Sequence, residues 1–142
     1  MLQRLRERMG SESGFTLVEL LVVMLILGIL AAIAIPSFFN QRDKARDADA
    51  KASAKTAQTA IETYSTENNG TYTGADVADL VRIEETLGPL GTDLAVVAGD
   101  DTYTVTVTSD TDNTFSVERT GTGAFLLNCT GGGGCPTDGT WD

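Results

Sequence analysis

The stretch GFTLVELLVVMLILGILAAIAIP, residues 14–36, decides the fold of this 142-residue chain. Between residues 15 and 35 every residue is apolar or glycine except Thr16 and Glu19. The length of this run matches the ~20 residues that a helix needs to cross the hydrocarbon core of a bilayer. Fourteen of its residues are Leu, Ile, Val or Phe, which together favour insertion by more than the roughly 3 kcal/mol that one Glu costs. The sequence therefore predicts a membrane-spanning helix with a carboxylate near its start.

The part of the chain that follows this run is acidic. Residues 37–142 contain 7 Lys and Arg against 17 Asp and Glu, a net charge of −10. Because such a surface repels nucleic acid, we expect no direct nucleic-acid binding. The chain has no His, so the usual general base and the commonest metal ligand are both missing. No nucleophile has an evident base, and we expect neither an enzyme nor a cofactor.

Helical periodicity continues beyond Pro36. Small and apolar residues recur at steps of three and four, which predicts a helix over residues 37–68 with one packed face. Gly28 is a weak helix former and Pro36 removes a hydrogen-bond donor, so we expect a kink or local unwinding between them. The periodic residues are Ala45, Ala48, Ala52, Ala54, Ala57, Ile61 and Tyr64.

The period changes to two in the second half of the chain. A loop over residues 69–93, with a short helix at 75–87, precedes four runs that alternate like strands. Turn residues separate these runs, which is typical of antiparallel hairpins. We therefore predict an α+β fold in which a long N-terminal helix packs on a small antiparallel sheet over residues 94–128. The predicted strands are 94–98, 102–108, 114–119 and 124–128.

Residues 14–36, with Gly14, Phe15, Glu19 and Pro36 in place, closely resemble the N-terminal segment of type IV prepilins and type II secretion pseudopilins. The resemblance implies the pilin fold. It also implies that a prepilin peptidase cuts the Gly14–Phe15 bond and that the new N-terminal Phe15 is then methylated.

The same resemblance divides the chain into three parts. Residues 1–14 would be the cleaved leader peptide, and residues 15–36 would be the transmembrane and assembly helix. Residues 37–142 would form the globular pilin head. The whole apolar segment would then stay with the mature protein.

Glu19 and Thr16 are the residues expected to act in assembly together with Phe15. Cleavage would give Phe15 an α-ammonium that is charged at neutral pH, and Glu19 lies one helical turn away. In a helical array each subunit can offer its Glu19 carboxylate to the amine of a neighbour. Such a buried pair specifies register more than it adds stability. The alternatives are a pairing within one subunit, or a chance Glu near the membrane interface whose side chain reaches the polar region.

Three functions remain open at this point. We expect a structural subunit of a type IV pilus, and the second function is a pseudopilin of a type II secretion or DNA-uptake system. The third is a soluble exported protein cleaved after Ala34, because Ala32-Ile33-Ala34 fits a signal-peptidase site.

The pilus interpretation carries a set of partners and locations. We expect a homo-oligomeric helical filament, a prepilin peptidase, an assembly platform with its ATPase, and the membrane as partners. The precursor and the stored subunit would lie in the inner or cytoplasmic membrane. The assembled filament would lie at the cell surface.

Cys129 and Cys135 are the only cysteines, and Thr130 and four glycines separate them. In an exported protein an even pair of cysteines predicts a disulfide. The glycines give the backbone the freedom to close so small a loop, residues 129–135. We expect this loop to attach the last strand to the sheet.

Asp110 and Asp112 resemble the opening of a calcium-binding loop. The glycine and the distal Glu of the EF-hand pattern are missing from the residues that follow. Turn formation explains these aspartates better, so we expect no metal site here.

Overall fold

The computed structural model describes residues 14–141, so the predicted leader lies outside the described residues except for Gly14. The described chain forms two compact units that divide between Phe38 and Phe39. We call residues 14–38 the N-terminal unit and residues 39–141 the head unit. In chain order the elements are helix α1 (Leu17–Glu67), helix α2 (Val77–Ile83), a 3₁₀ segment (Glu85–Asp93) and strands β1 (Leu94–Ala98), β2 (Tyr103–Thr108), β3 (Thr114–Arg119) and β4 (Phe125–Thr130).

The four strands form one antiparallel sheet in the order β1-β2-β3-β4. Val107 on β2 lies opposite Phe115 on β3, and Phe115 lies opposite Cys129 on β4. A long helix with a four-stranded antiparallel sheet is the α+β arrangement that the sequence predicted, and this prediction is confirmed.

The inner face of the sheet is filled by large apolar side chains. Alternate residues of β2 and β3 are buried, as expected for strands with one face against a core. The aromatic ring of Trp141 packs edge-on against Phe115, with ring centroids 6.0 Å apart. The buried residues on this face are Tyr103, Val105, Val107, Phe115 and Val117.

The head part of α1 contributes a narrow face of small residues to the same core. Ala54 and Ala57 are fully buried, and Ile61 and Tyr64 continue the face along the helix. Their spacing of three, four and three residues keeps them on one side of an α-helix. Because alanine has no side chain beyond Cβ, the helix can lie close to the sheet.

Ala45, Ala48 and Ala52 do not pack on the sheet as predicted, because all three are exposed in the single subunit. Residues at 47, 50, 54, 57 and 61 form the buried series instead. At about 100° per residue the two series lie on roughly opposite sides of the helix, so only one of them can face the sheet.

The chain does not unwind between Gly28 and Pro36, since α1 is helical through both residues, and the kink expected there stays a prediction. A proline inside a helix removes one N–H donor, and apolar membrane-type helices tolerate this loss.

The short helix predicted over 75–87 ends earlier than expected, at Ile83. Glu84 is extended, with φ −134° and ψ 94°, and its side chain accepts a hydrogen bond from Thr86 N–H at the start of the 3₁₀ segment. Strand β4 extends to Thr130, beyond the predicted residue 128, because Cys129 still pairs with Phe115.

We predict that Ala54→Leu destabilises the protein by about 1–3 kcal/mol, because the added side chain overpacks the contact between α1 and the sheet. Leucine is nearly as good a helix former as alanine, so the backbone contributes little to this cost. Urea unfolding of the protein in detergent, followed by the fluorescence of Trp141, measures it. The matched control is Ala52→Leu on the exposed side, which should change the free energy of unfolding by less than about 0.5 kcal/mol. Equal effects of the two variants would contradict the packing described here.

Candidate functional site

The predicted cleavage bond lies in the non-helical segment before α1. Gly14, Phe15 and Thr16 precede the first helical residue, Leu17. Phe15 is 81% exposed, and a Cβ at Gly14 would meet no atom within 4 Å. Exposed segments without regular structure are the usual sites of proteolysis. Nothing among the described residues therefore shields the Gly14–Phe15 bond.

Thr16 and Glu19 form a capping box at the start of α1. The N–H and the hydroxyl of Thr16 each donate to Glu19 Oε2 at 2.9 Å, and Glu19 N–H donates to Thr16 Oγ1 at 3.2 Å. This reciprocal arrangement satisfies N–H groups that the first turn of a helix leaves without partners. The Thr-x-x-Glu pattern is a sequence signal for such a box, and it accompanies the assembly role that the resemblance implies for these residues.

The carboxylate of Glu19 keeps one oxygen available. Both side-chain hydrogen bonds that it accepts end on Oε2, so among residues 14–141 its Oε1 has no donor. The residue is exposed and lies at a helix N-terminus, where the helix dipole favours negative charge. The capping box thus holds a carboxylate that can accept a hydrogen bond from a donor outside the subunit.

The N-terminal unit has an extensive uncovered apolar surface. Its large apolar side chains are 47–81% exposed, from Phe15 to Ile35. Within the described chain, α1 is long and apolar enough to cross a membrane, with a mean hydropathy of 2.9 over its most apolar stretch. Exposed apolar surfaces of this extent mark contacts with membranes or with other proteins. Such a surface suits contact with lipid or with neighbouring apolar helices.

A second polar site lies in the head unit around Asp47, which is 1% exposed. Its carboxylate accepts hydrogen bonds from the Thr111 hydroxyl, from Asn113 Nδ2 at 2.8 Å and from Gly134 N–H at 3.0 Å. Burial raises the pKa of Asp47, but these hydrogen bonds and one from Ser109 outweigh burial and hold the pKa below its usual value. Asp47 therefore joins α1 to the β2–β3 turn and to the loop over residues 129–135.

Sequence reasoning did not single out Asp47. A signal was present, because Asp47 lies three residues before Ala50 and seven before Ala54, on the stripe that becomes buried. A charged residue within an apolar stripe indicates either a misassigned face or a carboxylate with dedicated hydrogen-bond donors.

A disulfide joins Cys129 to Cys135, whose Cα atoms are 5.7 Å apart. We call residues 129–135 the disulfide loop. Within it, Gly132 N–H donates to Asn113 Oδ1 at 3.0 Å, and Asn113 Nδ2 donates back to the Gly132 carbonyl oxygen. At the start of the loop, Cys129 N–H donates to the carbonyl oxygen of Gly139, which lies in the segment after the loop, at 2.7 Å. The disulfide loop and the C-terminal segment are thereby attached to the sheet.

Glu62 forms a third polar site, further along the same helix. The hydroxyls of Tyr72 and Tyr103 donate to its carboxylate at 2.7 and 2.9 Å, and Arg119 Nη1 lies 3.6 Å from Glu62 Oε1. Burial and the Glu62 carboxylate raise the pKa of both tyrosines, so they remain protonated donors. This cluster joins α1 to the loop before α2 and to strands β2 and β3.

The aspartates considered as metal ligands serve the β2–β3 turn. Asp110 Oδ2 lies 3.8 Å from Arg46 Nε, and Asp112, at φ 64°, donates its N–H to the Ser109 carbonyl oxygen at 2.9 Å. Among the residues from 14 to 141, no group of three or more His, Cys, Asp or Glu is placed to hold a metal ion.

Comparison with known proteins identifies the N-terminal segment. The family described as the prokaryotic N-terminal methylation motif matches residues 9–35. Type II secretion system core protein G of Pseudomonas aeruginosa is 42% identical over 57 residues, and the chain spans 40% of the length of that protein. Competence protein ComGC of Halalkalibacterium halodurans is 34% identical over 65 residues, which cover 46% of this chain and 64% of ComGC.

A longer match extends the similarity into the head unit. The type IV narrow pilus major component PilA5 of Thermus thermophilus is 33% identical over 108 residues, which cover 76% of this chain and 88% of PilA5. The comparison with solved structures gave no significant match. Together with the long helix and the antiparallel sheet, these similarities define the class: the chain belongs to the family of type IV pilins and type II secretion pseudopilins.

The resemblance read from residues 14–36 is thus confirmed. The relatives named above are components of pilus, secretion or competence systems rather than enzymes. Membership of this family, together with the exposed apolar helix, supports a membrane-anchored precursor and a filament-associated form.

We predict that Asp47 makes stability depend on pH. Because its pKa is lowered in the folded state, its contribution is fully present above the unfolded-state pKa of about 3.9 and is lost as pH falls through the folded-state pKa. The free energy of unfolding of the wild type, measured by urea titration at several pH values from 7 to 2, should therefore fall more steeply below about pH 4 than that of Asp47→Asn. The variant should also lose roughly 1–3 kcal/mol at pH 7, because Asn cannot accept all of these hydrogen bonds. Parallel pH profiles for the two proteins would contradict the assignment.

Proposed function

We propose that this chain is a structural subunit of a type IV pilus filament that assembles through its N-terminal helix after cleavage at the Gly14–Phe15 bond. The observation that carries the proposal is the pairing of an uncovered apolar helix with a carboxylate fixed in its first turn. The apolar surface suits lipid before assembly and the helices of neighbouring subunits after it. Only a cation from another molecule, or from a new N-terminus, would neutralise the negative charge of this carboxylate.

Phe15 supplies that cation in the proposed mechanism. Cleavage and methylation leave an N-methyl ammonium on Phe15, which stays charged at neutral pH. The ammonium of one subunit binds Glu19 Oε1 of its neighbour while Oε2 keeps its bonds to Thr16. Each arriving subunit therefore neutralises a charge that its predecessor carries, and this fixes the axial step between them.

A pseudopilin role is the second candidate. It is supported by the identity of 42% with core protein G over 57 residues. The pilus role ranks first because the PilA5 match extends over 108 residues. Electron microscopy of cells that produce the chain separates the two: long surface fibres support a pilus, and short structures confined to the envelope support a pseudopilin.

The proposal implies further partners. A prepilin peptidase would cut and methylate the precursor at the membrane, and an assembly platform with its ATPase would move subunits from the membrane into the fibre. The filament at the cell surface would present the acidic head unit to solvent.

Our first functional prediction is that the mature protein begins at N-methyl-Phe15. The intact mass of the protein purified from membranes should equal that of residues 15–142 with one hydrogen replaced by a methyl group and two hydrogens lost to the Cys129–Cys135 disulfide. Gly14→Val should leave the full-length precursor, because a β-branched side chain blocks the close backbone approach that glycine allows. Gly10→Val in the leader is the matched control and should be processed normally. An N-terminus at Ile35 would instead show cleavage after Ala34 and would overturn the proposal.

Our second functional prediction separates the two roles of Glu19. Glu19→Gln keeps an oxygen that can accept from Thr16 but removes the charge, whereas Glu19→Ala removes both. Both variants should be inserted and cleaved, and both should give few or no filaments, because an unpaired ammonium costs ~3–5 kcal/mol when buried. Filaments released by shearing are counted by electron microscopy and compared with the amount of mature membrane protein. Normal filaments from Glu19→Gln would show that the capping box, and not the charge, supports assembly.

A further inference from the structure

The disulfide loop lies against the buried Asp47 carboxylate. Gly134 N–H donates to Asp47 Oδ2, and both backbone groups of Gly132 bond to Asn113, which itself donates to Asp47. The loop therefore supplies one donor to Asp47 directly and holds the side chain that supplies another. Asp47 is 1% exposed with the loop in this position.

The glycines of the loop are required for this close approach. A Cβ at Gly134 would lie 2.2 Å from Asp47 Oδ2, and a Cβ at Gly131 would lie 1.7 Å from Asn113 Oδ1. Gly131 and Gly133 also have positive φ values, of 120° and 70°. Glycines lose more conformational freedom on ordering than other residues and offer no side chain to pack. The loop thus depends on its disulfide and on its hydrogen bonds to remain ordered.

We propose that the disulfide loop is a redox-controlled latch on Asp47. With both cysteines reduced, the glycine segment leaves the head unit, and Asp47 loses the Gly134 donor and its cover. Closing the latch converts two thiols into one disulfide; the two protons and two electrons pass to a disulfide-bearing oxidant, which becomes a dithiol by thiol–disulfide exchange. The closed loop then fixes α1 around Asp47 to the β2–β3 turn.

The effect of the latch is local because the head unit has a separate polar anchor. The Glu62 cluster with Tyr72, Tyr103 and Arg119 makes no hydrogen bond to the disulfide loop within the described residues. Opening the latch should therefore loosen residues 44–50 and 109–113 and leave the helix around Glu62 protected. A disulfide that merely stabilised the whole fold would affect both regions alike.

The latch also has a consequence for assembly, which rests on the proposed pilus function. An open latch would leave α1 around Asp47, near the start of the head unit, less firmly held to the β2–β3 turn. Oxidation of the cysteines would then act as a checkpoint that keeps reduced subunits out of the filament.

Amide hydrogen exchange of the full mature protein in detergent tests the latch. In Cys129→Ser/Cys135→Ser, exchange in residues 44–50 and 109–113 should rise at least about tenfold, whereas residues 60–66 should be unchanged. This variant avoids the need for a reductant to reach the cysteines, which are 6% and 8% exposed. Uniformly raised exchange, or no change in any region, would overturn the proposal.

Two glycine variants test the latch with the disulfide intact. Gly134→Ala should reproduce the local rise in exchange, because its Cβ collides with Asp47. Gly132→Ala is the matched control and should behave as wild type, because a Cβ there meets no atom within 4 Å and its φ is not positive. If Gly134→Ala exchanges like wild type while its disulfide is intact, the loop does not control Asp47 and the proposal is wrong.

Filament counts for the same glycine variants test the checkpoint. Gly134→Ala should give at least about tenfold fewer filaments than Gly132→Ala at equal amounts of mature protein. Normal filaments from Gly134→Ala, with its exchange raised, would overturn the checkpoint. Absence of filaments from the wild type would instead count against the proposed function, and the exchange results would still decide the latch.

Discussion

The head unit depends on the contact between a face of small residues on α1 and the inner face of the sheet. Ala54 and Ala57 are completely buried, in the same cluster as the valines and Phe115 of the strands. Apolar burial contributes about 25 cal/mol per Å², so a face made of alanines gains less per residue than a face of leucines would. A flat face of small side chains also resists sliding or rotation poorly. Directional bonds must therefore fix the position of the helix on the sheet.

Asp47 and Glu62 provide these bonds at two points on the helix. They lie fifteen residues apart, roughly 22 Å along an α-helix. Asp47 accepts hydrogen bonds from uncharged donors in the β2–β3 turn and the disulfide loop. Glu62 accepts hydrogen bonds from two tyrosine hydroxyls and lies beside Arg119. Asp47 is buried, and a buried carboxylate that loses its donors is costly. Any other position of the helix would break both sets, so the two carboxylates specify one arrangement.

The class of fold could be predicted from periodicity, because the long apolar run, the helical spacing after Pro36 and the alternating strands each have a strong local signal. Periodicity could not predict which of the two alanine series on α1 faces the sheet. Ala45, Ala48 and Ala52 have the same spacing as the buried series, and only the position of the sheet separates them. The role of the glycines in the disulfide loop is only partly predictable. Their flexibility is visible in the sequence, but the approach of Gly134 to Asp47 brings together residues that are 87 positions apart.

The N-terminal site was predicted by resemblance, and its local chemistry was not. From the sequence alone, a pairing of Glu19 within one subunit and a pairing between subunits are exclusive alternatives. The partner of Glu19 in the structure is the uncharged Thr16, whose two donors stabilise the carboxylate without neutralising it. A carboxylate that enters a membrane alone costs roughly 2.5–3.5 kcal/mol on insertion scales, and hydrogen bonds to its charged form reduce such a penalty. The same residue can therefore be tolerated while the subunit is in lipid and still carry the full charge that the proposed ammonium partner requires. Under the proposed function, local capping and assembly are successive uses of one side chain, and the capping box prepares Glu19 for the second.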